Sequence, residues 1–120
     1  MAKEIIVPIL RGVFNNFEVT ENMVTAEQIS GEILVHFEKS DSKPSAVKFE
    51  SSSNKGDLYI SIQYLKNGKQ DNHPDNMETR EESATGKGVF DLKKLKNGYY
   101  ILRVFTKNAE NISFVYEFLN

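Results

Sequence analysis

Apolar and polar side chains alternate at every second position through much of the chain. Leu58, Ile60, Ile62 and Tyr64 fall on one face of a segment whose other face carries Tyr59, Ser61 and Gln63. Ile33, Val35 and Phe37 stand opposite Leu34, His36 and Glu38, and Val47 and Phe49 alternate with Lys48 and Glu50. Near the end, Tyr100, Leu102 and Val104 form one row, and Ile112, Phe114, Tyr116 and Phe118 another. An extended chain turns successive side chains to opposite faces, so a period of two marks strands that cover a shared core. Residue choice agrees with the period, because Val, Ile, Phe and Tyr fit a pleated, half-buried surface.

The pattern predicts seven or eight strands, at residues 5–10, 16–20, 32–38, 46–51, 58–66, 88–92, 99–106 and 111–119. Turn chemistry separates them: Asn67-Gly68, Asn97-Gly98 and the small polar residues 51–56. Residues 107–111 are expected to turn the chain into its last strand as a hairpin. Pro8 has no backbone N–H to give a ladder, which places the first strand at an edge or Pro8 at a strand start. Residues 22–29 fit either a helical turn or a weak strand. The expected fold class is all-β, an antiparallel two-sheet β-sandwich forming one domain over residues 1–120. One segment departs from the pattern. Residues 67–86 form a long polar loop, past the usual length of a structureless connection. Within it, residues 75–82 read as a short exposed helix capped by Asn76.

Composition narrows the function classes. A chain of 120 residues with eight Phe and five Tyr can bury a core of its own without covalent staples. A net charge of −2 carries no electrostatic footprint for nucleic acid, and Lys93, Lys94 and Lys96 beside Asp91 read as a solvated turn. The absence of cysteine removes disulfides, thiolate metal sites and cysteine nucleophiles. No apolar run reaches the ~18 residues a membrane-spanning helix needs. Residues 5–10 make a poor signal peptide, so export is expected only of a mature form.

Candidate chemistry is sparse. The long loop gathers Asp71, His73, Asp75 and Glu78, with Glu81 and Glu82 behind them. Oxygen-rich loops bind Ca²⁺ and His with carboxylates binds Zn²⁺, but the spacing follows neither pattern and Lys69 and Arg80 dilute the charge. A hydrated binding loop without a metal is the expectation. His36 falls on a polar face near Glu38, no G-x-S-x-G elbow is present, and Gly86-Lys87-Gly88 lacks the spacing of a phosphate loop. The carboxylate pairs Glu81–Glu82 and Glu18–Glu21 read as loop or strand-end surface. Tyr59 and Phe105 fall on outer faces, where they serve either cross-strand packing or a stacking platform.

These readings favour a non-enzymatic binding or assembly module with no cofactor. Its partner is expected to be a protein, engaged through residues 67–86 or through a sheet edge. A small carbohydrate-binding module using Tyr59, Tyr99 and Phe105 is one alternative, and a metal-dependent or small hydrolytic domain around His73 is another. No concave pocket is expected to collect the titratable candidates.

The run from Phe90 to Val104 adds a resemblance. Asp91, Leu92, Leu95, Gly98, Tyr100 and Val104 occupy a D-L-x-x-L-x-x-G-x-Y-x-x-x-V pattern. This is similar to the penultimate part of bacterial Ig-like modules, including short exported Ig-like domains and the sorting-type modules of type IX secretion. The resemblance covers the last quarter of the chain and implies an Ig-like sandwich. In such a sandwich Leu92 and Leu95 would plug one end, Gly98 would permit the turn, and Tyr100 would anchor its strand like a tyrosine corner. The ending at Asn120 lacks the Lys-rich tail of sorting modules, so that role does not carry over.

Overall fold

The computed structural model describes residues 8–68, 76–83 and 86–120. Seven strands account for most of them: β1 (Ile9–Val19), β2 (Met23–Lys39), β3 (Ala46–Ser52), β4 (Tyr59–Leu65), β5 (Met77–Ser83), β6 (Lys87–Asp91) and β7 (Gly98–Leu119). Every pairing is antiparallel. The sheet runs β1-β2-β7-β3-β6, with β4 added to β7 and β5 to β4. No described helix is long and apolar enough to cross a membrane.

The longest strand organises the rest. The first part of β7 lies between β2 and β4, with Val104 opposite both Ile33 and Ile60. Its later part lies between β2 and β3, with Phe114 opposite both Val24 and Ser51. The change of neighbour coincides with a bulge. Gly31 faces Thr106 and Ile29 faces Ala109, so β7 carries one residue more than β2 across this interval. An extra residue bends a strand and increases its twist. The polar groups of the bend are answered locally: the Ser30 hydroxyl donates to the Lys107 carbonyl at 2.7 Å. The connection between β3 and β4 lies across the same bend, where Asn54 N–H donates to Glu110 O and Glu110 N–H donates to Lys55 O, both at 2.9 Å.

Three expectations are corrected here. Residues 107–111 are not a hairpin but part of one continuous strand, because β2 accompanies β7 on both sides of the bulge. Of the two alternatives for residues 22–29 the strand is the one found, since β2 begins at Met23, and the two segments expected at 5–10 and 16–20 are joined, where described, in the single strand β1, Ile9–Val19. Where a helix is expected over 75–82 the described residues form β5, Met77–Ser83, which interrupts the loop expected over 67–86. Glu78, Arg80, Glu81 and Glu82 suit a helix, but pairing along β4 satisfies the backbone and packs Met77 against buried Leu65. Tertiary contact outweighs local propensity at such an edge. Glu81 and Glu82 therefore lie on β5 rather than in a loop, and Glu18 stands at the end of β1.

Apolar side chains from both ends of the sheet meet in one core, including Val24, Ile33, Val47, Ile62, Leu102 and Phe114. The rings of Phe37 and Phe118 lie 4.8 Å apart although Phe37 pairs with Tyr100 and Phe118 with Val47. Each ring removed from water contributes roughly 2–3 kcal/mol. Buried tyrosines need partners for their hydroxyls. The Tyr100 hydroxyl donates to the Lys96 carbonyl at 2.6 Å, and the Tyr116 hydroxyl donates to the Glu21 carbonyl at 2.5 Å. Leu92 is fully buried and Leu95 packs on the same core.

Candidate functional site

The outward face of β2, β7 and β4 is less polar than its sequence suggests. Leu34, Leu65 and Ile101 form a second, smaller buried cluster there, with Met77 and Tyr99 against it. Ser61 and Gln63 are also buried. Their polar atoms satisfy one another: the Gln63 amide donates to Ser61 Oγ and to Thr79 Oγ1, each at 2.9 Å.

Beside this cluster sits an ionic centre that joins three strands. The Glu32 carboxylate of β2 accepts Arg11 Nε from β1 at 2.7 Å and Arg103 Nε from β7 at 2.5 Å, with further ion pairs through the terminal nitrogens of both arginines. Burial alone would raise the Glu32 carboxyl, but the hydrogen bonds and charges of Arg11 and Arg103 outweigh it and hold the group below the usual carboxylate range. The Arg103 guanidinium also lies 5.0 Å from the centre of the Phe105 ring. Phe105 in turn faces Tyr59 across the β4–β7 ladder, their ring centres 6.3 Å apart.

Tyr59 and Arg103 both open onto a groove of about 850 Å³ between the outer side of β4 and β5 and the β3–β4 connection. Of the titratable candidates the groove holds Glu82 alone, beside Asp57 and Arg103. His36 is not in its lining; it lies half-buried on β2, opposite Ile101.

The sheet has three edge strands among the described residues: β1, β5 and β6. They differ in chemistry. β5 carries Glu78, Arg80, Glu81 and Glu82, and β6 is only five residues long. β1 is eleven residues long and exposes Ile9 at 45%, Val13 at 62% and Phe17 at 50%.

Of the residues singled out from sequence, Tyr59 and Phe105 are neighbours at the groove, with Tyr59 exposed and Phe105 half-buried. Tyr99 stands apart from them, packed on the outer cluster instead of exposed. Glu78 lies on β5 opposite Tyr64 and not in a loop, while Asp71, His73 and Asp75 lie outside the described residues. Among the described residues, no three or more His, Asp or Glu side chains are grouped to hold a metal ion. Sequence reading missed Arg11, Glu32 and Arg103, which become neighbours only through strand register. The chain matches no family model, no curated protein and no solved structure.

Proposed function

We propose that the protein is a non-enzymatic assembly module, a two-layer Ig-like β-sandwich that accepts a strand from a second chain along β1. The long, apolar β1 edge carries this reading. An edge strand leaves a row of backbone N–H and C=O groups without ladder partners, and charge or shortness normally guards it. β5 and β6 have such guards; β1 has Arg11, held by Glu32, and Glu18 near its end.

The residue pattern favours a second copy of this chain as the occupant. Ile9 and Phe17 lie at equal distances in sequence on either side of Val13. An antiparallel pair of β1 strands centred on Val13 sets Val13 against itself and Arg11 against Asn15, with Ile9 and Phe17 closing the two ends from opposite faces of the ladder. Such self-complementarity is what a twofold interface requires. The two-layer reading is supported by the Phe37–Phe118 contact across the core. The Ig-like reading is supported by the Tyr100 hydroxyl bond to the carbonyl four residues upstream, the geometry of a tyrosine corner.

Sedimentation equilibrium tests the assembly. The wild type is expected to form dimers as concentration rises, and Val13→Lys, which opposes two like charges at the centre, is expected to remain monomeric with unchanged circular dichroism. Val89→Lys alters an equally exposed valine on β6 and should leave dimerisation intact. A wild type that is monomeric at every concentration, or dimers indifferent to Val13→Lys, would overturn the proposal.

A further inference from the structure

We propose that the groove beside β4 and β5 is a binding site for a neutral oligosaccharide. Its volume of about 850 Å³ lies within the range of small-ligand sites. Three features of its lining select the chemistry. Tyr59 is 54% exposed and offers a ring surface on which the C–H face of a pyranose can stack. Around it stand short neutral hydrogen-bonding groups, among them Ser52, Ser53 and Thr79; Ser53 donates to Gly56 O and Thr79 is bonded to Gln63, and both hydroxyls keep acceptor capacity for a ligand. The formal charges disfavour an anion: Asp57 and Glu82 line the groove, and the guanidinium of Arg103 is already bonded to Glu32.

That balance separates a sugar from competing ligands. A phosphodiester strand could stack on Tyr59, but its phosphates would meet two carboxylates. An apolar ligand would strip water from the Ser52 hydroxyl and from the carboxylates of Asp57 and Glu82 without replacing the hydrogen bonds, at a cost in free energy. A neutral saccharide replaces those bonds with its own hydroxyls and gives Tyr59 an apolar face. Glu82 and Asp57 then act as acceptors for sugar O–H groups, which charge strengthens. The β1 edge is a separate surface, and the site does not depend on dimer formation.

Calorimetric titration with cellotetraose, maltotetraose, mannotetraose and chitotetraose tests the site, with tetragalacturonate and a short oligothymidylate as charged comparisons. At least one neutral tetrasaccharide is expected to bind with Kd of ~1 mM or tighter. Tyr59→Ala should weaken it by about tenfold or more, a loss of ~1.4 kcal/mol, whereas Tyr59→Phe, which keeps the ring, should stay within about threefold. Tyr99→Phe, altered outside the groove, should bind as the wild type does. Preserved circular dichroism and melting in Tyr59→Ala separate a lost contact from a lost fold. The proposal is overturned by the absence of binding to all four neutral sugars, by binding that ignores Tyr59→Ala, or by tighter binding of either anionic ligand.

Discussion

Gly12 of β1 and Gly31 of β2 face each other across the ladder, each with positive φ, at +123° and +154°. A Cβ on Gly12 would stand 2.8 Å from Gly31 Cα, and one on Gly31 would stand 2.9 Å from Gly12 Cα. The pair lets two adjacent backbones come together where β2 passes the bulge in β7. An L side chain would meet both the strain of positive φ and a backbone that has no room to retreat. Gly31→Ala is therefore expected to lower the unfolding free energy by about 2–4 kcal/mol. Gly68, with φ of +97° but nothing within 4 Å of a built Cβ, bears only the first of these costs. Gly68→Ala should cost about 1 kcal/mol. Urea denaturation of the two variants measures the difference.

The Glu32 carboxylate makes a pH-dependent contribution. Its folded pKa is depressed, so the stability it supplies is present above the unfolded value of about 4.3 and disappears as pH falls through the lower folded value. Both arginine side chains are partly exposed, which keeps the cost of losing their partner below the ~3–5 kcal/mol of a fully buried pair. Glu32→Gln is expected to cost about 1–3 kcal/mol near neutral pH. Denaturation curves from about pH 6 to pH 3 should show a steeper loss in the wild type than in the variant.

Tyr116 contributes stability that alkali removes. Burial, with the negative charge of Glu21 adding to it, pushes its hydroxyl up to about 12. A raised folded pKa means that its stabilisation is complete below the unfolded value of about 10 and is lost as pH rises through 12. Tyr116→Phe should cost about 1 kcal/mol at neutral pH by removing the bond to the Glu21 carbonyl. Between about pH 10 and pH 12 the wild type should lose roughly 2–3 kcal/mol relative to the variant, which has no proton to release there. Paired denaturation curves cancel the titration of the other tyrosines and the lysines.

Tyr100 separates ring from hydroxyl. Its ring packs against Phe37 at 5.5 Å and Tyr64 at 5.3 Å, and its hydroxyl bonds Lys96 O. Tyr100→Phe keeps the rings in contact and should cost about 1 kcal/mol. Tyr100→Ala leaves a cavity at the centre of the core and should cost about 3–5 kcal/mol. Thermal unfolding of both variants tests the ratio.

Alternation alone located β3, β4 and β6 to within about two residues, because each is short, regular and apolar on one face. It also placed Tyr59 and Phe105 on outer faces, since parity is a local property. The long strands were harder to read. In β2 the buried positions pass from Val24 and Ala26 to Ile29 and Ile33, a change of parity that imitates a helical turn when no partner strand is visible. In β7 the polar residues Lys107, Asn108, Glu110 and Asn111 resemble a hairpin turn, yet they occupy the bulged bend and the adjoining stretch of the same strand. The ionic centre had no local signature at all, because Glu32 lies 21 residues from Arg11 and 71 from Arg103.

Which residues extend, and which of their faces is apolar, follows from the chain itself: side-chain direction alternates within a strand whatever its neighbours are. Which strand lies beside which, where the long strands bend and which charges meet were decided by tertiary structure. Backbone ladders accept many partners, and only burial of the whole set selects one register. The groove and the β1 edge arise at that second level, from where the folded sheet opens and where its pairing stops.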